Sequence, residues 1–227
     1  MPSIYGTTGD GYASALGQSS WVNARRSSGT QGDNNNTRDT TAVAVEVASG
    51  KGGGVESSIR RAFMSFDTSG ISVTPSDATL KIRGFSQSSA DVIVVKSEAA
   101  TTIVAGSFDD LPSAAQTVIG LTDGSGAGTL SGVSGFTYSS EISTWSTSGY
   151  NDIALNSTAL SDMVSLDTFK ICIMDYDYDY LDITGGSLVR VGLYWTETSA
   201  ESLDPYIDYT AGTEAVTNNA ILFGTNF

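Results

Sequence analysis

Alternation of apolar and polar residues recurs along this chain of 227 residues at the period of a β-strand. Its clearest form is TAVAVEVAS, residues 41–49, where the valines fall on one face of an extended chain. Helical periodicity is nearly missing, and turns rich in glycine and serine separate the segments. Further strands are predicted at residues 58–67, 78–85, 90–98, 150–155, 169–174, 187–197 and 205–211. The pattern predicts an all-β protein, an antiparallel β-sandwich of the jelly-roll type.

A single domain, residues 20–211, contains these strands. Residues 1–19 lie outside the pattern and are predicted to form an N-terminal arm. Residues 212–227 end in the apolar stretch AILF, where a frayed terminus would normally be polar. They are predicted as a C-terminal extension, which either forms a last strand of the same domain or docks on a neighbour.

Two segments between the strands have their own signals. Residues 157–164, STALSDMV, give the one predicted helix, with Ser157 as its N-cap. Residues 104–135 are rich in glycine and serine and have few apolar anchors, so they are predicted as a long loop with at most a short strand or helical turn. Residues 50–54, GKGGG, are predicted as the tip of a hairpin.

The composition excludes several functional classes. The formal net charge is −14, from 25 acidic and 11 basic residues, which disfavours binding to nucleic acid or to anionic membranes. There is no histidine, so Ser-His-Asp and Cys-His catalytic sites and the common zinc sites are excluded. The one cysteine, Cys172, lies in an apolar run and is predicted as a buried core residue. The first residues lack the basic and apolar regions of a signal peptide.

A run of alternating aspartates and tyrosines, IMDYDYDYLD, occupies residues 173–182. In a strand, Asp175, Asp177 and Asp179 would continue the apolar face of the preceding residues. Three like charges cannot all be buried without a cation. The strand is therefore predicted to leave the core near Met174, and the remainder to project as a hairpin loop.

The same spacing resembles the start of a calcium-binding loop, because hard cations prefer several carboxylate oxygens at close range. The sixth and twelfth positions of such a loop are here Tyr180 and Gly186, not the required Gly and Glu, which excludes an EF-hand. A solvated acidic loop is favoured, and Asp175, Asp177 and Asp179 remain the candidate ligands of a looser calcium site. No other cofactor is predicted.

Exposed aromatic rings are candidate platforms for sugars, because the C–H groups of a sugar ring pack against the face of an indole or phenol. The candidates for this role are Tyr176, Tyr178 and Trp145, and Tyr150 is a further tyrosine of the same kind. For Trp145 a position in the core is favoured. A glycosidase would need two opposed carboxyl groups, which no pattern here indicates, and the chain is predicted not to be an enzyme.

Two adjacent arginines, Arg60 and Arg61, lie in a predicted strand, so one should point inward and the other outward. The inward side chain is expected to pair with a carboxylate. Asp67 and Glu56 are the partners that lie nearby in the sequence.

Several segments together resemble one known family. RRAFMSFDTSGI and SDATLKI resemble the early signature of the DNRLRE-type β-sandwich family, and YNDIALNSTAL resembles its later turn and helix. FKICIM and SLVRVGLYWTETSAESLDPYIDYT resemble its final strands. The resemblance covers about residues 20–211 and implies a jelly-roll sandwich related to carbohydrate-binding modules. Stand-alone members without a leader look like virion proteins of tailed bacteriophages.

The expected function is that of a non-catalytic virion structural protein, on the outer surface of a capsid or in a tail fibre. The expected partners are other virion proteins, copies of the same chain and host-surface polysaccharide, with no nucleic acid and no membrane. The alternative is a carbohydrate-binding module of an extracellular polysaccharide-binding or polysaccharide-degrading system.

Overall fold

The computed structural model describes residues 1–7, 9–34, 44–51, 57–89, 91–121, 128–183, 186–194, 196 and 203–214. The strands are β1 (Ser3–Tyr5), β2 (Gly11–Gln18), β3 (Gln31–Asn34), β4 (Ala44–Lys51), β5 (Ser57–Asp67), β6 (Asp77–Ser88), β7 (Val92–Lys96), β8 (Tyr150–Ala154), β9 (Thr168–Asp175), β10 (Val189–Tyr194) and β11 (Tyr206–Thr210). The α-helices are α1 (Trp21–Arg25), α2 (Ser113–Val118) and α3 (Ser157–Ser165).

The strands form two antiparallel layers. The smaller layer has the order β1-β11-β6-β8, and the larger has the order β3-β2-β5-β9-β7. β4 and β10 pair with each other and join the layers at one side, because β10 also pairs with β6 and β4 also pairs with β5. The predicted all-β, antiparallel sandwich is confirmed.

The first core lies between the two layers. Alternate residues of β5, such as Met64 and Phe66, face Leu80 and Ile82 of β6, and all four side chains are almost fully buried. Ile171 of β9 and Leu193 of β10 belong to the same cluster. This packing explains the period-two pattern, because each strand presents every second side chain to the opposite layer.

A second core covers the outer face of the larger layer. The other alternate residues of β5 and β9, among them Ile59, Phe63 and Met174, point to this side and are buried there. Helix α1 and the segment around Phe108 and Leu111 cover them. Because the central strands β5, β9 and β7 of the larger layer are buried on both faces, they carry apolar residues on both faces, as in AFMSF, FKICIM and VIVV.

The predicted long loop is the cover of this second core. Within residues 104–135 the structure has a 3₁₀-helix at Ala105–Asp109, helix α2 and a second 3₁₀-helix at Leu130–Gly132, while residues 122–127 lie outside the described part. The prediction of one helix was therefore wrong, because a short helix that only caps a sheet face shows little periodicity. None of the described helices has the length and apolar character to cross a membrane.

Helix α3 begins where the sequence predicted it, but its N-cap is one residue earlier. The side chain of Asn156 accepts a hydrogen bond from the main-chain N–H of Ala159 at 3.1 Å. Its amide also donates to the main-chain oxygen of Thr137 at 2.8 Å. Asn156 thus fixes both the start of the helix and its position beside the 137–142 segment.

Residues 1–19 are not an arm. β1 pairs with β11, and β2 lies inside the larger layer between β3 and β5. The small residues of β2, including Ala13 and Ala15, are fully buried against the second core. The predicted extension 212–227 lies outside the described residues from 215 onward, and so does the predicted hairpin tip beyond Lys51.

A buried carboxylate stands at the start of β2. Asp10 is fully buried, and its Oδ2 accepts a hydrogen bond from the main-chain N–H of Thr196 at 2.5 Å. Its Oδ1 is buried without a hydrogen-bond partner among the described residues. Burial raises the pKa of Asp10 to about 7, the hydrogen bonds from Thr196 oppose this, and the charge of Asp204 adds to it.

The raised pKa of Asp10 predicts a stability that falls as the pH rises. The folded protein holds this proton up to about pH 7, whereas the unfolded chain loses it near the ordinary aspartate pKa of 3.8. The free energy of unfolding should therefore decrease between pH 4 and pH 7 by about 1.4 kcal/mol per pH unit from this group. Asp10→Asn should remove that contribution. Between pH 5 and pH 7 the wild type should therefore lose about 2 kcal/mol or more of unfolding free energy that Asp10→Asn does not lose. Urea denaturation at both values measures this.

Asp77→Asn, at an exposed position, is the matched control and should leave the pH dependence as it is in the wild type. If Asp10→Asn and Asp77→Asn give the same slope with pH, the buried carboxylate does not hold its proton as described.

Candidate functional site

The aspartate and tyrosine run folds back onto the sheet. β9 continues to Asp175, and Tyr176–Tyr180 then form one turn of π-helix. The Oδ1 of Asp175 accepts a hydrogen bond from the main-chain N–H of Tyr178 at 2.6 Å and so caps this turn. Burial raises the pKa of Asp175 to about 7, and the charges of Asp179 and Asp177 add to the shift. We refer to residues 175–182 as the aspartate turn.

Asp179 is the counter-ion of a buried arginine. Arg61 donates from Nε and Nη2 to the two carboxylate oxygens of Asp179, at 2.7 Å each, and both side chains are completely buried. Arg61 also donates from Nη1 to the main-chain oxygen of Phe108 at 2.6 Å and lies 4.1 Å from the centre of its ring. Burial lowers the pKa of Arg61, but the charge and hydrogen bonds of Asp179 outweigh it, and the net shift is upward.

A second arginine holds the same turn from the other side. Arg25, at the end of helix α1, donates from Nε and Nη2 to the main-chain oxygen of Asp179 at 3.1 and 2.8 Å. Its Nη1 lies 2.8 Å from a carboxylate oxygen of Asp182. Arg25 is 1% exposed, and burial is the main reason that its pKa is lowered. Two buried cations and two carboxylates thus fix the aspartate turn.

The predicted solvated acidic loop is therefore wrong. The three like charges are not buried together, because Asp179 pairs with Arg61, Asp175 caps the turn, and Asp177 remains half-buried. Both oxygens of Asp179 already accept hydrogen bonds from Arg61. Within the part of the chain that the structure describes, no group of three or more acidic or cysteine residues is placed to hold a metal ion. Calcium binding by Asp175, Asp177 and Asp179 gains no support from this arrangement.

The inward-pointing arginine was predicted, but its partner was not. Arg61 pairs with Asp179 rather than with Asp67 or Glu56, since Asp67 is exposed at the end of β5 and Glu56 lies outside the described residues. Arg60 faces the other way, with its guanidinium carbon 4.8 Å from the ring centre of Tyr12.

The three predicted sugar-stacking rings are core or half-buried side chains. Trp145 is 6% exposed and donates from Nε1 to the main-chain oxygen of Gly192 at 3.1 Å. Tyr176 stacks on Tyr180 with ring centres 5.4 Å apart, and Tyr178 packs edge-on against Trp21 at 6.1 Å. Both tyrosines pack against the second core. The structure does not bring these rings together as an exposed platform.

An aromatic platform lies elsewhere, on the outer face of the smaller layer. The rings of Tyr5 and Tyr206 have centres 5.5 Å apart with planes inclined by 36°. The ring of Tyr150 meets that of Tyr206 edge-on at 5.2 Å. Tyr5 is 47% exposed and is the one aromatic among the exposed large hydrophobic side chains of the described residues. We call Tyr5, Tyr150 and Tyr206 the tyrosine face.

Strand register places these rings on the solvent side. Tyr206 is paired with both Tyr5 on β1 and Lys81 on β6, whereas the next residue of β11, Ile207, belongs to the first core. Alternation therefore turns Tyr206 outward. The hydroxyl of Tyr150 donates to the main-chain oxygen of Asp204 at 3.2 Å, which anchors this ring. Phenol rings that are held beside one another on an outer face offer surfaces against which sugar rings can pack.

Two further aromatic rings extend the outer face along β6. Phe85 and Tyr194 have ring centres 5.4 Å apart. The ring of Phe85 occupies the space where a side chain at position 192 would begin, so only glycine fits there. Because Val191 and Leu193 point into the first core, the ring over Gly192 lies on the outer face.

A hydroxyl-lined groove adjoins the same face. It has a volume of about 290 Å³ and lies beside β8, lined by Ser140, Glu141, Ser143, Thr144 and Asp152 among others. Asp152 is directly paired with Lys81 in the sheet, and its Oδ2 lies 2.6 Å from the Lys81 ammonium. Asp152 thus belongs to both the groove and the outer face. We call this feature the edge groove.

A larger cleft lies at the end of β5 and the start of β9. It has a volume of about 640 Å³ and is lined by hydroxyl and carboxylate side chains, including Thr7, Asp67, Thr101 and Asp167. Asp67 accepts hydrogen bonds from the hydroxyl and main-chain N–H of Ser69, at 2.6 and 3.1 Å, which lower its pKa. We call this the end cleft.

Sequence reasoning missed Tyr5 and Tyr206. Tyr5 lay in the predicted arm, and its neighbour Tyr206 is close only through the pairing of the first strand with the last. A signal for Tyr206 did exist, because in PYIDYT the tyrosine alternates with the core residue Ile207.

Comparison with known proteins gives no family for this chain. No protein-family model matches it, and no curated protein matches it. The resemblance of residues 60–71 and 76–82 to the DNRLRE-type signature therefore stays a prediction.

Removing the carboxylate of Asp179 should strongly destabilise the fold. Asp179→Asn leaves the Arg61 charge buried without a counter-ion, which should lower the free energy of unfolding by about 3–5 kcal/mol. Asp177→Asn, on the same turn but half-buried, is the control and should change it by less than about 0.5 kcal/mol. Chemical denaturation followed by fluorescence measures both values.

Replacing both partners by apolar residues, Arg61→Met with Asp179→Leu, should restore a large part of the stability lost in Asp179→Asn. If Asp179→Asn is as stable as the wild type, the ion pair does not hold the aspartate turn in place.

Proposed function

We propose that this chain is a non-catalytic structural protein of a tailed-bacteriophage particle, and that it contacts host-surface glycans through the tyrosine face. The observation that carries the glycan contact is the row formed by Tyr5, Tyr206 and Tyr150 on the outer face of a rigid sheet. Each ring already has a fixed neighbour, so little side-chain freedom is lost when a sugar packs against it.

The polar surroundings of the tyrosine face suit a sugar as well. Lys81 and Asp152 form an ion pair beside the rings, and Ser3 donates a hydrogen bond from its hydroxyl to Asp208 on the neighbouring strand. Sugar-binding sites combine apolar rings, which accept the C–H groups, with nearby polar groups, which bind the hydroxyls. Both are present on the outer face of the smaller layer.

The carboxylates of the end cleft and the buried aspartates lack the features of a glycosidase pair. A glycosidase needs two carboxyl groups roughly 5–9.5 Å apart across the substrate, one of them with a raised pKa. In the end cleft, the hydrogen bonds from Ser69 lower the pKa of Asp67, which is the opposite of what a general acid requires. The two carboxylates with a pKa raised to about 7, Asp10 and Asp175, are buried and serve main-chain N–H groups.

The placement on a virion rests on the resemblance and on surface chemistry. The net charge of −14 keeps the chain away from packaged nucleic acid, and Ser and Thr are its most numerous polar residues. Its partners would be other virion proteins and copies of itself, bound through strand addition and burial of the AILF segment.

The alternative is a carbohydrate-binding module of an extracellular polysaccharide-binding or polysaccharide-degrading system. The tyrosine face favours this function equally, because the contact with sugar would be the same. The two proposals differ in location: the first requires the protein in purified phage particles, and the second requires it beside polysaccharide-degrading enzymes.

Loss of one exposed ring should weaken glycan binding. Tyr5→Ala and Tyr206→Ala should each reduce affinity for a glycan selected from an array by about tenfold, the effect of roughly 1.4 kcal/mol. Leu166→Ala, at an exposed apolar position on another surface, is the control. Isothermal titration calorimetry gives the affinities, and equal binding by all three variants would contradict the proposed face.

Incorporation into particles should depend on the C-terminal segment. Deleting residues 212–227 should abolish incorporation of the protein into purified particles, while circular dichroism shows an intact sandwich. The measurement is mass spectrometry of particles assembled with the wild-type or the shortened chain. A shortened chain that assembles normally would overturn this part of the proposal.

A further inference from the structure

We infer that the tyrosine face and the edge groove form one continuous site, which binds a neutral glycan chain of about four sugar residues lying across the strands. This inference rests on the proposed glycan contact and adds the length, direction and charge of the glycan. It is carried by the register of the smaller layer and by the position of Asp152.

A straight row of side chains crosses the smaller layer at right angles to its strands. Tyr5 on β1 is paired with Tyr206 on β11, Tyr206 with Lys81 on β6, and Lys81 with Asp152 on β8. All four therefore share one face and one level of the sheet. Neighbouring strands lie about 4.8 Å apart, so the row is roughly 14 Å long.

This spacing matches an extended glycan. Successive pyranose rings in an extended chain advance by a distance comparable to the separation of adjacent strands. One sugar residue can therefore lie over each strand, with the first two against Tyr5 and Tyr206. The third would lie over Lys81, flanked by the ring of Tyr150, which meets Tyr206 at 5.2 Å.

The edge groove receives the fourth residue. Asp152 ends the row and also lines the groove, so the two features share this residue. The groove volume of about 290 Å³ is near the lower end of the roughly 300–1,000 Å³ of small-molecule sites, which fits the end of a chain rather than a whole oligosaccharide. The hydroxyls of Ser140, Ser143 and Thr144 supply both donors and acceptors for sugar hydroxyls.

The ion pair between Lys81 and Asp152 determines which charged group the row presents to a ligand. The Lys81 ammonium is 19% exposed and lies 2.6 Å from Asp152, whose side chain is 62% exposed. The carboxylate is thus the accessible member of the pair and is the group that accepts hydrogen bonds from sugar hydroxyls. Lys81 and Arg83 on this face are balanced by Asp152 and Asp208, and the net charge of −14 of the whole chain repels a carboxylated glycan. A neutral chain is the occupant that fits.

The experiment uses an array of neutral and carboxylated oligosaccharides, two to six residues long, followed by calorimetry with the neutral series that binds. Affinity should rise at least tenfold from two to four residues and then change less than twofold up to six. Asp152→Asn should weaken binding of the four-residue member at least tenfold and of the two-residue member less than twofold. Asp67→Asn in the end cleft should change neither.

A bulky side chain in the groove gives a second variant that leaves the ion pair intact. Ser143→Trp should reduce the affinity for four residues to that for two, with an unchanged thermal midpoint showing that the fold is kept. Binding that does not depend on length, or that is restricted to carboxylated glycans, would overturn the inference. If Tyr206→Ala still weakens binding in that case, the proposed glycan contact stands. Binding to no member of the array overturns both.

Discussion

The buried pair between Arg61 and Asp179 is the interaction on which the larger layer depends. Arg61 points from the middle of β5 into the second core, where it lies among apolar side chains. A guanidinium there is tolerable only with a counter-ion, and the aspartate turn supplies it. The same arginine binds the main chain at Phe108, so one charged group connects the sheet, the cover segment and the turn. Arg25 repeats this from helix α1.

The outer faces of the two layers differ in whether other elements cover them. The outer face of the larger layer is closed by α1, the 3₁₀-helices and the aspartate turn, whose tyrosines complete the second core. The outer face of the smaller layer has no such cover among the described residues, and its strands keep the alternation of a sheet with one wet side. The aromatic rings left on that side, Tyr5 and Tyr206 in particular, are therefore the ones free to meet other molecules.

Patterns inside each segment predict most of the fold, whereas the sites depend on contacts between residues that are far apart in the sequence. Strands β4 to β11 were predicted to within a few residues because period two is visible inside each segment, as in residues 78–85, whereas β1, β2 and β3 were not predicted. The sequence predicts a solvated loop for the three aspartates because Arg61, the counter-ion of Asp179, is distant in sequence and close only in the folded sheet. Tyr5 and Tyr206 were overlooked for the same reason, since the pairing of β1 with β11 joins the ends of the domain. Burial of one sheet face under short helices also leaves no periodic signal.

The pairing of β1 with β11 also determines how the molecule responds to force. Ser3 lies opposite Asp208, so the first and the last of the described strands meet at one edge of the smaller layer. A load that pulls β1 away from β11 acts across their shared hydrogen bonds and would break these bonds one after another. Tyr5 and Tyr206 lie on either side of this seam. A rigid molecule bound across both rings would hold the two strands together, so that tighter binding would also raise the force needed to separate them.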